Sequence, residues 1–260
     1  MSRIAILSDV HANYHALCAV AEDAHSVEGC TEIACLGDMV GFNAHPLECL
    51  DYFRELNCIV VKGRHEQLLL DMEFSNIDPL AEASLQWTRE IVTEEQLRWM
   101  ASLPYQRIVR PEDGKGSSFI VTHSSLDQPR SWNKIASCSD AVHSMARQFA
   151  NVAFCGHTHS PAVYISERQG VSELPCVIEE ILMNGSVDIK IQSGCKYCIN
   201  VGSVGQPRGA VMDACYAVYD TAEGLVRLKR VAYDVQAAQQ AIVDSGLPIA
   251  LAACLGPFEM

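Results

Sequence analysis

The sequence predicts an α/β protein, for two reasons. Short apolar runs alternate with segments of helical period, and clusters of Asp and His stand directly after those runs. Strand-like runs that alternate with helical ones are the signature of βα units. The runs are Ile4–Leu7, Ile33–Leu36, Cys58–Val61, Phe119–Val121 and Val152–Cys155. Each is almost wholly apolar, as a strand covered on both faces must be.

The helices come next. Asn13 to Ala24 carries Ala16, Leu17, Val20 and Ala24 at helical spacing, and Pro46 stands where a first helical turn tolerates proline, ahead of Leu47, Leu50 and Phe53. Ser139 is placed to cap a helix bearing Val142, Met145 and Phe149. Thr93 and Gln96 form a capping-box pattern within Asp78 to Leu103, so residues 76–104 are expected to be a helical insertion in a single domain spanning 1–260. After Pro161 the pattern turns to strands with Gly-bearing turns: Val163–Ser166, Val187–Ile191, Tyr197–Val201, Cys215–Tyr219 and Val226–Tyr233. These suggest a second, more antiparallel sheet. A helix from Asp234 to Val243, ending near Gly246, closes the fold.

Composition narrows the class. In 260 residues, 49% are hydrophobic and 20% charged, which suits a globular chain with a substantial core. The start, MSRIAILSDV, has no apolar signal-peptide region, and the stretch Leu247–Leu255 is broken by Pro248 and short of the ~20 residues a membrane span needs. A cytoplasmic protein with no membrane partner is expected. Its 12 cysteines then read as reduced, small, buried hydrophobes. Cys195 and Cys198 form a lone C-x-x-C in a strand-like run, where residues three apart face opposite sides. The net charge of −13 argues against a protein that coats nucleic acid. It does not exclude a phosphorylated substrate, because bound dications invert the local field.

The chemistry stands after the five early runs: Asp9-Val10-His11, Gly37-Asp38-Met39-Val40-Gly41, Gly63-Arg64-His65-Glu66, Thr122-His123 and Gly156-His157-Thr158-His159. In open α/β sheets ligands collect at the carboxyl ends of strands, so clusters far apart in the chain can converge. Imidazole and carboxylate donors suit zinc, iron and manganese, and a carboxylate between two ions can bridge them.

In this order the motifs resemble those of the calcineurin-like metallophosphoesterases, in particular their small bacterial and archaeal members, whose characteristic loop resembles Asn200-Val201-Gly202-Ser203-Val204-Gly205-Gln206-Pro207-Arg208. The match runs from about Arg3 to Leu255 and is loosest over 67–118 and 165–196. The resemblance implies a four-layer α/β/β/α sandwich of two mixed sheets flanked by helices. It also implies one or two divalent transition-metal ions, manganese first, with iron, zinc or nickel as alternatives. By the same resemblance Asp9, His11 and His159 hold one ion, Asp38 bridges, His123 and His157 hold the other, and His65 protonates the leaving oxygen. The implied activity is hydrolysis of phosphomonoesters or phosphodiesters, with a phosphorylated small molecule, a nucleotide or a phosphoprotein as substrate.

Two positions depart from the pattern. Where the family has an Asn ligand in G-N-H-E this chain has Arg64, which offers no lone pair. Arg64 is instead expected to face substrate phosphate with its planar fork, and the loss of a ligand leaves a weakly active or non-catalytic scaffold as the alternative function. Ala12, where relatives often have Gly, is expected to matter little. Asn13 either caps a helix or reaches substrate, and Arg208 either clamps phosphate or braces its loop. Trp132, in the segment Ser124 to Ser137, either stacks on a base or packs the loop onto the core. His15, His25, His45 and His143 read as surface residues or supports.

Overall fold

Period-two alternation in the first strand decides the layers. In β1 (Arg3–Leu7) Ile4 and Ile6 join one buried cluster and Ala5 and Leu7 another, so the strand is covered on both faces. The computed structural model describes residues 3–74, 77–111, 116–167, 170–174, 177–209 and 212–258. Here β1 lies parallel to β2 (Glu32–Cys35), which lies parallel to β3 (Ile59–Val60). In a second sheet β4 (Gln106–Val109) runs antiparallel to β5 (Phe119–Thr122), which lies parallel to β6 (Val152–Cys155).

The later strands do not form a sheet of their own, which corrects the expectation above. β7 (Ala162–Glu167), β8 (Gly170–Glu173) and β10 (Lys196–Asn200) extend the second sheet, giving the order β4-β5-β6-β10-β7-β8. β9 (Ser186–Lys190), β11 (Ala214–Asp220) and β12 (Leu225–Val231) extend the first, giving β3-β2-β1-β11-β12-β9. The reason is backbone satisfaction. β1 and β6 each bond an early strand on one edge, and a buried edge cannot leave its other N–H and C=O groups unpaired. β11 fills the free edge of β1 and β10 that of β6.

Both sheets are therefore mixed, and they stack face to face. Ile4, Ile6, Phe119, Val121, Phe154, Ile199, Tyr219 and Leu228 fill the space between them. Outside the first sheet lie α1 (Tyr14–Glu22), α2 (Pro46–Glu55), α3 (Arg64–Asp71), α4 (Pro79–Ile91) and α5 (Glu94–Ser102), which bury Leu17, Phe53, Leu69, Leu85 and Met100 against it. Burying side chains of this size is worth roughly 1.5–3 kcal/mol each. Outside the second sheet, α6 (Cys138–Met145) packs Ala141 and Met145 onto Cys155, Tyr164 and Cys198. α7 (Val177–Asn184) sends Val177 and Ile181 to the inter-sheet core, and α8 (Val235–Asp244) pairs with α9 (Ile249–Ala253). The result is the four-layer α/β/β/α sandwich.

Several local signals stand where the sequence puts them. Asn13 caps α1, Pro46 opens α2, and Thr93 and Gln96 exchange both capping-box hydrogen bonds at 3.2 and 3.0 Å. α4 and α5 fill the segment expected to be helical, of which position 76 lies outside the described residues. The α6 cap needs correction: Ser137, not Ser139, accepts from the Asp140 N–H, and Val142 and Phe149 are 47% and 65% exposed. The buried face is Ala141, Ser144 and Met145, which turns Val142 outward, and the helix ends before Phe149. Cys198 faces α6, with its sulfur 4.0 Å from that of Cys155, while Cys195 packs against the inter-sheet core, so the C-x-x-C pair points to opposite sides. Among the described residues no helix is long and apolar enough to cross a membrane.

Candidate metal centre

The carboxyl ends of β1, β2, β5 and β6 deliver Asp9, His11, Asp38, His123, His157 and His159 to one buried place, with His65 arriving on the first turn of α3 just past β3. Two groups of three form there. Asp9, His11 and His159 have donor atoms within 4.8 Å of one another, as do Asp38, His123 and His157. A third group, His11, Asp38 and His65, spans between them.

Hydrogen bonds fix which nitrogen of each ring faces the centre. Nδ1 of His11, His123 and His159 lies 3.1, 2.9 and 2.8 Å from the carbonyl oxygens of Val40, Leu36 and Gln206, and Nε2 of His157 lies 3.0 Å from that of Trp132. A carbonyl only accepts, so each of those nitrogens carries the proton and the other presents a lone pair. The lone-pair nitrogens then meet in pairs: His11 Nε2 is 3.1 Å from His159 Nε2, and His123 Nε2 is 3.2 Å from His157 Nδ1. Two lone pairs at that distance repel unless a cation or a proton lies at hand.

The carboxylates complete this arrangement. Asp9 Oδ2 accepts from the Ser8 hydroxyl at 2.6 Å and the His157 N–H at 2.9 Å, while its buried Oδ1 has no hydrogen-bond donor and sits 3.2 Å from His159 Nε2. Asp38 Oδ1 accepts from the His65 N–H at 2.7 Å, and its Oδ2 lies 3.3 Å from His123 Nε2 and 3.9 Å from His11 Nε2. One oxygen thus reaches towards both nitrogen pairs, the position of a bridge. An orphaned buried oxygen and facing lone pairs are what a divalent cation in each group would satisfy, so the donor set fits one or two such ions.

The groups of this cluster shift one another's proton affinities. Burial alone would raise Asp9 and Asp38, yet the surrounding imidazoles, His159 for Asp9 and His123 for Asp38, hold both below the usual carboxylate range. Burial would lower His123, but Asp38 beside it lifts it to about 9. Burial and the charge of His123 press His157 down to about 3, and burial holds His11 well below its ordinary value. The same cluster thus pushes the proton affinities of His123 and His157 in opposite directions.

The backbone around these residues is strained. Asp9, His11, Asp38, His157 and His159 all adopt left-handed φ, from 47° to 69°. Non-glycine residues avoid this region at a cost of roughly 1 kcal/mol or more each, and such strain persists only where surrounding contacts over-determine it. Here they do. Glu66, fully buried, accepts from the backbone N–H groups of Gly63 and Asp38 through Oε2, both at 2.8 Å, and of Met39 at 2.7 Å and Val40 at 3.3 Å through Oε1. Burial and nearby Asp38 push its carboxyl up to about 7. The 200–208 loop does the same for the other strands. Ser203 donates to the Asp9 carbonyl at 2.8 Å, Asn200 holds the Gly156 carbonyl at 2.7 Å, and Gln206 supplies the carbonyl that orients His159. Asn43 adds a bond to the His11 carbonyl at 2.7 Å. Glu66, Asn200, Ser203 and Gln206 carry no such role in the sequence alone; the available signal for Glu66 is its place three residues after the Gly63 cap.

Two glycines are required by contact. A Cβ at Gly63 would lie 2.1 Å from the Asp38 nitrogen, and one at Gly41 would lie 2.3 Å from His65 Nδ1. His65 itself is buried, its ring 4.7 Å from that of His11 and 5.0 Å from Phe42, with Nδ1 making no hydrogen bond. Burial holds it below its ordinary pKa; Asp38 opposes, and Arg64 adds to the depression.

The three expected substrate contacts are placed differently. Asn13 is buried and occupied: its oxygen caps α1 at the Ala16 N–H and its amide donates to the Gly205 carbonyl and Tyr233 hydroxyl. Arg208 is exposed and donates to Gln206 Oε1 at 3.1 Å, bracing the loop that holds His159. Arg64 is half-buried at the first position of α3, with no hydrogen bond or ion pair among the described residues. Trp132 packs between Tyr105 and His123, ring centres 5.7 and 5.9 Å away.

The chain matches the calcineurin-like phosphoesterase superfamily domain over residues 2–224. An uncharacterised protein of Methanocaldococcus jannaschii is 33% identical over 248 residues, which are 95% of this chain and 94% of that protein. A metallophosphoesterase from Sphaerobacter thermophilus superposes with a TM-score of 0.79 at 30% identity, covering 98% of both chains. A hypothetical protein from Pyrococcus horikoshii shares the fold at 18% identity, with a TM-score of 0.77 and 98% of both chains covered.

Proposed function

The chain belongs to the calcineurin-like phosphoesterase superfamily, and from that premise we propose that it is a metal-dependent hydrolase of phosphomonoesters or phosphodiesters. The observation that carries this is the pairing of lone-pair nitrogens, His11 with His159 and His123 with His157, each locked from behind by a backbone carbonyl. Divalent cations, manganese being our first choice, would be held by these groups and would supply Lewis-acid charge and an activated water at neutral pH.

The chain's own groups do the rest. Asp38 ties both groups together, and Glu66 keeps Asp38 in place through the N–H groups of its loop. His65, within 4.8 Å of donor atoms of His11 and Asp38, gives a proton to the leaving oxygen, help worth about 10² to 10⁴ in rate. Arg64, next in sequence, presents a guanidinium fork to the substrate phosphate. A reducing cytoplasm suits a chain with 12 cysteines, and a phosphorylated small molecule, a nucleotide or a phosphoprotein suits the centre.

One observation favours a second reading, a weakly active scaffold: Arg64 stands where the family pattern has an Asn ligand. A scaffold, however, has no need of strained ligands and facing lone pairs. Purified protein is expected to hydrolyse an aryl phosphate or phosphodiester with manganese and to lose that activity on chelation. Absence of turnover with every divalent transition metal tried would put the scaffold reading first.

A further inference from the structure

Next to the second nitrogen pair the chain builds a layer of aromatic and cationic side chains that the centre itself does not use. The Arg130 guanidinium lies 4.7 Å from the Tyr105 ring centre, and Lys62 Nζ lies 5.2 Å from it. Tyr105 meets Trp132, and Trp132 meets His123. The Tyr105 hydroxyl is committed, donating to Gln67 Oε1 at 2.7 Å, and the exposed Arg130 lies over its ring. A cavity of about 580 Å³, lined by Pro104, Tyr105, Gln106, Gln128, Pro129 and Arg130, opens beside this layer. Volumes of that order accommodate ligands of nucleotide size.

The loop that carries Arg130 is held in shape. Gln128 and Trp132 both sit at a left-handed φ of 55°, flanking the helical turn Pro129–Ser131. Ser124 donates to the Pro129 carbonyl at 3.2 Å, and the Ser125 N–H donates to the Asn133 carbonyl at 3.0 Å. The same loop gives the Trp132 carbonyl that orients His157. These contacts hold the two left-handed residues in place. The charge distribution agrees. In a protein of net charge −13, Lys62 and Arg130 meet over Tyr105 and Lys134 lies near His157, none of them in an ion pair among the described residues.

Resting on the hydrolase reading, we propose that the cavity beside Tyr105 and Arg130 is a nucleoside subsite, so that the substrate class is a nucleotide phosphoester. The base lies against the Tyr105–Arg130 layer and the side-chain amides of Gln106 and Gln128 meet its polar edge. Stacking on aromatic and guanidinium planes tolerates any base, and the amides of Gln106 and Gln128 meet polar groups that a phenyl ring lacks, so the subsite selects nucleosides over simple aryl groups more than one base over another.

The test compares the p-nitrophenyl ester of thymidine 5′-monophosphate with p-nitrophenyl phenylphosphonate, which shares its leaving group and lacks a nucleoside. With manganese-loaded protein the ratio of kcat/KM is expected to favour the nucleoside ester by about tenfold or more, and Arg130→Ala to cut that ratio by about tenfold through KM. Tyr105→Phe, which keeps the ring, should preserve it. A parent protein without preference, or a ratio unchanged in Arg130→Ala, overturns the proposal. Calorimetric titration with thymidine 5′-monophosphate and inorganic phosphate separates the two readings. Tighter binding of the nucleotide, lost in Arg130→Ala, sustains the subsite even if neither ester is turned over, and equal binding of the two rejects it.

Discussion

The two halves of the centre contain the same kinds of donor but are held by different parts of the molecule. Asp9, His11 and His159 all have left-handed backbone, and the carbonyls behind His11 and His159 belong to the buried residues Val40 and Gln206. In the other half Asp38 and His157 share that backbone and His123 is held by buried Leu36, but His157 takes its carbonyl from Trp132, a half-exposed residue of a surface loop. That half also has Arg64 where a further ligand is expected. The difference teaches that a donor set can be complete in chemistry and unequal in rigidity: the first group is over-determined by the core, and the second depends on a loop shared with the cavity beside it. The first should hold an ion tightly and the second more weakly.

The largest expected effect removes the residue common to both halves. Asp38→Ala should lower turnover by at least about 100-fold and reduce the metal content of both halves, since losing even an outer support of a ligand costs about 10 to 100-fold. Metal analysis and steady-state kinetics measure this, and retained activity would dissolve the bridging assignment. His65→Ala should lower turnover by about 10² to 10⁴ while leaving metal content intact, with a smaller loss for substrates whose leaving groups need little protonation. Equal losses across leaving groups would make His65 a positioning residue.

Arg64→Asn addresses the inequality itself, with a smaller effect. A guanidinium about 4 Å from a unit charge costs about 4 kcal/mol at an effective dielectric near 20, so removing it and adding a lone-pair donor should raise occupancy of the Asp38, His123 and His157 group. The pH profile carries a second readout. Burial chiefly lowers the pKa of His65 and Arg64 adds to the depression, and the acid works only when protonated. Removing the cation lifts that pKa, and the alkaline limb of kcat/KM should move to higher pH. A limb that stays put would mean that the guanidinium does not act on His65.

How much of this was legible in the sequence depends on the kind of group involved. Asp9, His11, Asp38, His123, His157 and His159 were legible because each follows an apolar run, and strand ends of one direction share an edge of the sandwich. The Thr93 cap was legible from its capping-box pattern with Gln96, and the Asn13 cap as one of two alternatives. Sheet membership was not: only the edge requirements of β1 and β6, which need the assembled fold, send β11 to one sheet and β10 to the other. The grip on the histidines was also hidden, because it comes from the carbonyls of Leu36, Val40, Trp132 and Gln206, and every residue has a carbonyl. Glu66 reads as an ordinary helix-cap acid until Asp38, Met39 and Val40 are seen to point their N–H groups at it.

The account rests on the facing nitrogen pairs being two metal sites of unequal strength. Anomalous diffraction from crystals grown at limiting and then excess manganese tests it directly. The account predicts a first ion among Asp9, His11, His159 and Asp38 at limiting metal, and a second among Asp38, His123 and His157 appearing only in excess. Filling in the reverse order, or an ion bound away from both nitrogen pairs, would contradict it.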